Sequence, residues 1–266
     1  LNPKDGIISG VEVGLVSRFK NIKEVYPYTE TALFYDRIMD HVDYSKWALY
    51  IHRLIMRHSK GVKSIVDAAC GTGSFMKHLE RRGYRVSGFD RSLPMIVKAR
   101  DKTASAFLWQ GDLTQFALKP GQELVLCVYD SLQYLTLEQV EAFFKQVFSC
   151  LRMRGLLIFD IVTQKHVREN WGNFIERGEF PGGSYIRESW FDKQGQVQHT
   201  VFQIFSRCSM KWVCEHHRQY IFNIDDVKTK LQDHGFEVSG LWGDFTFSIG
   251  GEQSDRIHFV ATKEAV

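Results

Sequence analysis

The chain has 266 residues, 44% of them hydrophobic and 24% charged, with a formal net charge of +3 at pH 7. This composition belongs to an ordinary soluble globule of one or two folding units, long enough to bury a full core. So small a charge, without any long block of like charges, argues against a dedicated nucleic-acid binder, and no apolar run approaches the roughly 18 residues of a membrane helix.

The five cysteines are scattered and contain no Cys-x-x-Cys pair, which excludes a disulfide frame and a zinc site and leaves no metal expected. Reduced thiols, and an opening segment LNPKDGIISG without the apolar centre of a signal peptide, set the expectation of a cytoplasmic protein.

In chain order, YPYTETALFYDRIMDHVDYSKWALYIHRLIMRH carries apolar residues at helical spacing and predicts two helices split near Val42-Asp43, an N-terminal helical cap over 1–60. KSIVDAAC then reads as a buried strand, GSFMKHLERRG as a helix closed by Gly83, and YRVSGFD as a second strand. SLPMIVKARDK is a helix with Ser92 as its N-cap and Pro94 in its first turn. AFLWQGDL and ELVLCVYD give two further strands, LEQVEAFFKQVFSCL a helix and GLLIFDIV a fifth strand. Strands alternating with helices over 61–170 predict an α/β fold, a Rossmann-like doubly wound parallel sheet covered on both faces.

From about Trp171 the alternation stops. GSYIRESWFDKQGQVQHTVFQIFSR predicts a hairpin turning at Lys193-Gln194-Gly195, and MKWVCEHHRQYIF a third antiparallel strand, so that 171–222 form a small β insertion. Residues 223–266 return to the core with a helix, capped by Asn223 or Asp225 and ended by Gly235, and two last strands.

The chemistry centres on IVDAACGTGSF, a strand running into a glycine turn at a helix start. Met76 stands where a dinucleotide fingerprint needs its third glycine, and no Lys-Ser or Lys-Thr follows as in a P-loop. Acids take the place of phosphate anchors. Asp67 before the turn is placed to face a cationic amino group, Asp90 at the end of the second strand to accept from ribose hydroxyls, and Asp112 after the third to accept from an adenine amine. Three acids and no phosphate anchor suit a nucleoside that carries positive charge.

VDAACGTG, VSGFDRSLPMIVKAR, WQGDL and LVLCVYDSLQYL together resemble the class I S-adenosylmethionine-dependent methyltransferases. The resemblance runs from about residue 30 to the C-terminus and implies S-adenosyl-L-methionine as cofactor and a reversed last strand. It implies that Asp67, Ala68, Gly71 and Gly73 line the methionine moiety, that Asp90 holds the ribose, and that Arg91, Met95, Gly111, Asp112 and Leu113 meet the adenine. Tyr129 and Asp130 would lie under the sulfonium, with Ser131 and Tyr134 beside the acceptor. YDRIMDHVDYSKW resembles a segment that closes over the cofactor in the related small-molecule enzymes, which adds Tyr35, Tyr44 and Trp47.

YDSLQYL after the fourth strand has no proline, unlike the N/D-P-P-Y/F motif of exocyclic base-amine methyltransferases, and looks like the small-molecule branch that includes amino-sugar N-methyltransferases. The expected acceptor is accordingly an amine, with a hydroxyl as second choice; RNA or protein methylation, and cofactor binding without transfer, are the alternatives. In WVCEHHRQYIF, alternation puts Glu215, His217 and Gln219 on one face and Cys214, His216, Arg218 and Tyr220 on the other. His217 is the first candidate for orienting or deprotonating an amine and His199 the second, with Glu215 and Trp190 also expected at the acceptor. A homodimer without nucleic-acid or membrane partners completes the expectation.

Overall fold

The computed structural model describes residues 22–264; the opening segment LNPKDGIISG and the first part of the expected N-terminal cap lie outside the described residues. The described chain begins with a short strand β1 (Lys23–Val25), a 3-10 turn at Thr31–Leu33, a single-turn helix α1 (Tyr35–Ile38) and the long helix α2 (Tyr44–His58). Asp43 caps α2 by accepting from the Lys46 N–H at 3.0 Å, so the expected break at Val42-Asp43 is a helix start. The first of the two expected helices shrinks to one turn.

Five strands then alternate with helices: β2 (Ser64–Ala68), α3 (Ser74–Glu80), β3 (Arg85–Asp90), α4 (Leu93–Lys102), β4 (Phe107–Gln110), β5 (Gln122–Cys127), α5 (Leu137–Cys150) and β6 (Leu151–Val162). Ser92 accepts from the Met95 N–H at 3.3 Å as the N-cap of α4, and Thr136 and Gln139 form a reciprocal capping box on α5. After β6 come a short turn of helix α6 (Gln164–His166) and a π-helical turn at Val167–Trp171. The second unit follows as β7 (Phe174–Phe180), β8 (Gly183–Asp192), β9 (Val197–Ser206) and β10 (Lys211–Tyr220), before helix α7 (Ile224–Asp233), capped by Asn223, and the last strands β11 (Phe236–Gly243) and β12 (Arg256–Lys263).

The main sheet has seven strands in the order β4-β3-β2-β5-β6-β12-β11. β2 to β6 are parallel neighbours, whereas β12 runs antiparallel to both β6 and β11. No helix separates β11 from β12, and without a crossover helix the two pair as antiparallel neighbours. That is the reversed last strand. Both faces are covered. Phe143, Phe144, Val227 and Leu231 of α5 and α7 bury one face with Phe159 and Phe259, and Ile51, Leu54, Met76, Leu79 and Ile96 of α2, α3 and α4 bury the other with Ile65 and Ile158. Adjacent residues of β6, Ile158 and Phe159, thus serve opposite cores, as the two-residue period of a strand requires.

The second sheet is larger than the three expected strands. It has five, in the order β1-β10-β9-β8-β7. The hairpin turns at 193–196 as expected, but FIERGEF adds β7 at one edge, and β1 pairs parallel to β10 at the other, with Val25 beside Glu215. A three-residue strand contributed by the N-terminal region has no local signature. Among the described residues no helix is long and apolar enough to cross a membrane. Cys70, Cys127 and Cys150 are buried and Cys208 is exposed, all as free thiols.

Phe144 is fully buried between Phe143, Phe159 and Phe236. Phe144→Ala should lower unfolding free energy by about 3–5 kcal/mol in denaturant titrations, the cost of a large core cavity.

Candidate active site

The carboxyl ends of β2, β3, β4 and β5 lie side by side, where open α/β sheets bind ligands. The turn after β2 is left-handed at Ala69 (φ 65°), Gly71 (φ 55°) and Gly73 (φ 72°). At Gly73 a Cβ would lie 3.0 Å from that of Ala99, so glycine lets α3 start hard against α4. The Gly71 N–H donates to Asp90 Oδ2 at 2.8 Å, and the Ser92 N–H donates to Asp90 Oδ1 at the same distance. Asp90 therefore ties the glycine turn to the start of α4, and its carboxylate, which can accept about four hydrogen bonds, retains acceptor capacity.

Asp67 differs. It is buried, and no donor among the described residues reaches its carboxyl. Burial first, and then the negative charge of Asp90, push its pKa up to about 8. A carboxyl left without a protein partner beside a second acid suits a cationic ligand group. Ala68 is buried in β2 just after it.

Around the residues expected to meet the adenine the pattern is looser. Asp112 Oδ1 accepts from the Thr114 N–H (2.8 Å) and hydroxyl (2.6 Å), while Oδ2 faces Arg91 Nε at 3.4 Å. The carboxylate expected to read an adenine amine is thus turned toward its own loop. Arg91 is exposed, with its guanidinium 5.3 Å from the Tyr26 ring centre. Met95 is buried in α4, Leu113 packs on the core, and the Gly111 N–H donates to the Asp90 carbonyl at 3.0 Å.

At the end of β5, Tyr129 (φ 66°) and Asp130 (φ 50°) are consecutive left-handed residues. Their N–H groups donate to the two oxygens of Asp160, at 2.6 and 3.1 Å. Arg256 pairs with Asp160 and also with Asp130 Oδ1, at 2.9 Å for the latter, while Gln219 Nε2 donates to Asp130 Oδ2 at 2.6 Å. Trp47 and Tyr44 of α2 stand over Tyr129, with ring centres 5.1 and 6.5 Å away. The Ser131 hydroxyl donates to the Val128 carbonyl at 2.9 Å.

Above this end sits one face of the second sheet. Glu215 is completely buried and collects donors: the N–H groups of Tyr28 (2.9 Å), Glu30 (2.5 Å) and Thr31 (3.0 Å), and the Thr31 hydroxyl (2.6 Å). Burial works against its charge, but the hydrogen bonds from His217 and Thr31 outweigh it and leave the carboxyl below its ordinary value. His217 Nε2 lies 3.2 Å from Glu215 Oε2, and its Nδ1 lies 3.1 Å from the Tyr134 hydroxyl. Tyr134 in turn meets the Tyr28 hydroxyl at 2.5 Å, and Tyr35 packs edge-on against Tyr28 at 5.7 Å.

Of the residues singled out from the sequence, His217, Glu215, Tyr134, Tyr35, Tyr44, Trp47, Tyr129 and Asp130 come together here. His199 and Trp190 do not. Register puts Trp190 opposite His199 and His199 opposite Arg218, whereas His217 lies opposite Thr200, so the two residues occupy the other face of the sheet. There His199 Nδ1 meets His216 Nε2 at 2.8 Å and Trp190 stacks on the His199 ring. The sequence reading did not single out Asp160, Arg256, Thr31 or Asp36. Asp160 had a signal, as the one acid inside the apolar run LLIFDIV; Asp36, which accepts from the Thr72 hydroxyl of the glycine turn at 2.6 Å, had none.

The described residues thus form a Rossmann-like sheet with a reversed last strand and acids around a glycine turn at its carboxyl edge. Residues 65–155 match the methyltransferase-domain family. The chain is similar to the putative methyltransferase YqeM of Bacillus subtilis (29% identity over 243 residues, 89% of this chain and 97% of that one). It is also similar, at 34% identity over 93 residues (35% of this chain, 36% of that one), to a dTDP-3-amino-3,6-dideoxy-alpha-D-glucopyranose N,N-dimethyltransferase of Streptomyces fradiae. An S-adenosylmethionine-dependent methyltransferase from Clostridium acetobutylicum shares the fold, with a TM-score of 0.74 at 21% identity over 90% of this chain and 99% of that one. The protein is an S-adenosylmethionine-dependent methyltransferase.

Two outcomes follow from the charges. Below about pH 8 Asp67 is protonated, so a cationic cofactor group placed beside it drives the proton off. Calorimetry of S-adenosylmethionine binding at pH 7, repeated in buffers of different ionisation enthalpy, should show up to about one proton released, and Asp67→Asn should abolish the release. Glu215 has the opposite sign. Its stabilisation is complete above the ordinary glutamate value of about 4.3 and is lost as pH falls through the lowered folded value. Glu215→Gln should flatten that acid limb in thermal unfolding followed against pH.

Proposed function

We propose that this methyltransferase transfers its methyl group to an amine nitrogen of a small molecule, and that His217 takes up the proton the nitrogen gives away. The observation that carries the proposal is the hydrogen-bonded line Tyr28–Tyr134–His217–Glu215 at the end of β5. A carboxylate can only accept, so His217 Nε2 donates to Glu215 and Nδ1 accepts from the Tyr134 hydroxyl, which accepts from Tyr28. The Tyr28 and Tyr134 hydroxyls therefore donate toward His217, His217 donates to Glu215, and Glu215 stabilises the imidazolium that forms when a proton arrives.

When bound, S-adenosylmethionine supplies the electrophilic methyl. The rest falls to the chain. Asp67 and Asp90 hold cationic and hydroxyl groups, the rings of Tyr35, Tyr44, Trp47 and Tyr129 favour positive charge and exclude water, and Tyr28 and Tyr134 present hydroxyls to the acceptor. Two further points support the reading: YDSLQYL lacks the proline-bearing motif of base-amine enzymes, and one relative is named as an amino-sugar N,N-dimethyltransferase.

Incubation with S-adenosylmethionine and a panel of amines, nucleotide-linked amino sugars among them, with an RNA transcript as comparison, should give a methyl gain by mass spectrometry on an amine. Methylation of the RNA alone would sink the proposal. On a responsive amine, His217→Asn should lower kcat by about 10²- to 10⁴-fold, the scale of general-base catalysis, with cofactor affinity retained. Unchanged turnover would leave His217 as a packing residue.

A further inference from the structure

We infer that Arg256 and Gln219 act together as positioning residues for Asp130, so that the seating of the second sheet on the core sets the geometry at the end of β5. The inference rests on the reading of that strand end as the site of transfer.

Two consecutive non-glycine residues in the left-handed region persist only where their surroundings over-determine them. Tyr129 and Asp130 are held from three directions. Asp160 of β6 accepts both of their N–H groups. Arg256 of β12 reaches Asp130 Oδ1 and Asp160 together. Gln219, from β10 of the other sheet, takes Asp130 Oδ2 at 2.6 Å. Each oxygen of one carboxylate is therefore bound by a different layer of the molecule.

The chemistry of the cation matters. Two buried carboxylates share one guanidinium, whose planar fork can address both at once; an ammonium is a single point of charge. The guanidinium also lies 5.2 Å from the Trp47 ring centre and 5.4 Å from that of Tyr129, which fixes it between α2 and the end of β5. His258, across from Asp160, adds no second cation. Burial and the charge of Arg256 hold its pKa down near 3. With both oxygens engaged, Asp130 serves as an oriented anion, and a proton from the acceptor goes elsewhere. A shift of β10 would break the Gln219 contact and release the strained pair.

The test needs no acceptor. Hydrogen–deuterium exchange in the free protein reports the Tyr129 and Asp130 amides directly. Gln219→Leu should speed exchange in 128–131 by about ten-fold, the loss of one buried hydrogen bond, with α5 and β2 unchanged. Arg256→Lys, which keeps the charge without the bridge, should do at least as much. Unchanged exchange in Gln219→Leu would overturn the inference, as would acceleration spread over the whole core, which would mark a merely structural role.

A second arm uses the amine that responds in the panel. Asp130→Gly keeps the left-handed backbone without cost but removes the carboxylate. It should lower kcat, and adding Gln219→Leu should lower it no further. Equal additional losses in both backgrounds would overturn the positioning role. Wild-type kcat in Asp130→Gly would overturn the reading of the strand end as the transfer site, whatever the exchange data show.

Discussion

The structure turns on a carboxylate that never sees water. Glu215 lies in β10 with no exposure, and its charge survives burial only because three backbone N–H groups, a hydroxyl and an imidazole surround it. Four of those five donors come from Tyr28, Glu30 and Thr31, far away in the chain. One ionised group thereby fixes the N-terminal region to the second sheet. Removing it would strand several buried donors, each costing about 1–3 kcal/mol. The same contacts place Tyr28 beside Tyr134 and hold the His217 ring between Glu215 and Tyr134. The carbonyl of Tyr28 also accepts the Ser92 hydroxyl at 2.6 Å, so the chain that Glu215 anchors reaches the start of α4.

Acids at this site divide into two kinds. Asp90, Asp130 and Asp160 are engaged by N–H groups, by Gln219 or by Arg256 and act as struts: they fix a glycine turn, a helix start and a left-handed pair. Asp67 has no such partner, and its raised pKa records the cost of burial beside another acid. A site that spends most of its acids on its own geometry and leaves one unanswered is arranged for a cation rather than for a phosphate. The glycine turn fits this picture, since its Gly71 N–H is directed at Asp90 and not outward.

Much of this was legible in the residues. Five buried strands, the caps at Ser92 and Asn223, the hairpin at 193–196 and the common face of Glu215, His217 and Gln219 follow from local patterning. These features depend on side chains a few positions apart. The reading failed where distant parts of the chain meet. β1 became a strand because β10 offered an open edge, and YPYTETALFYDRI folded as two short turns because Glu215 captured its backbone. His199 and Trp190 lie in the neighbouring strands on the face opposite His217.

What the sequence determined by itself was the order of strands and helices, the glycine turn with its acids, and the partition of each strand into two faces. Those properties come from φ/ψ preference, burial period and turn chemistry, all short-range. What only the tertiary structure decided was which face of β10 looks at the core, and which residues meet across it. Alternation is symmetric between the two faces, and the symmetry is broken by long-range contacts alone: Gln219 on Asp130, Tyr134 on His217, and Arg256 reaching from the last strand to two carboxylates on β6 and after β5.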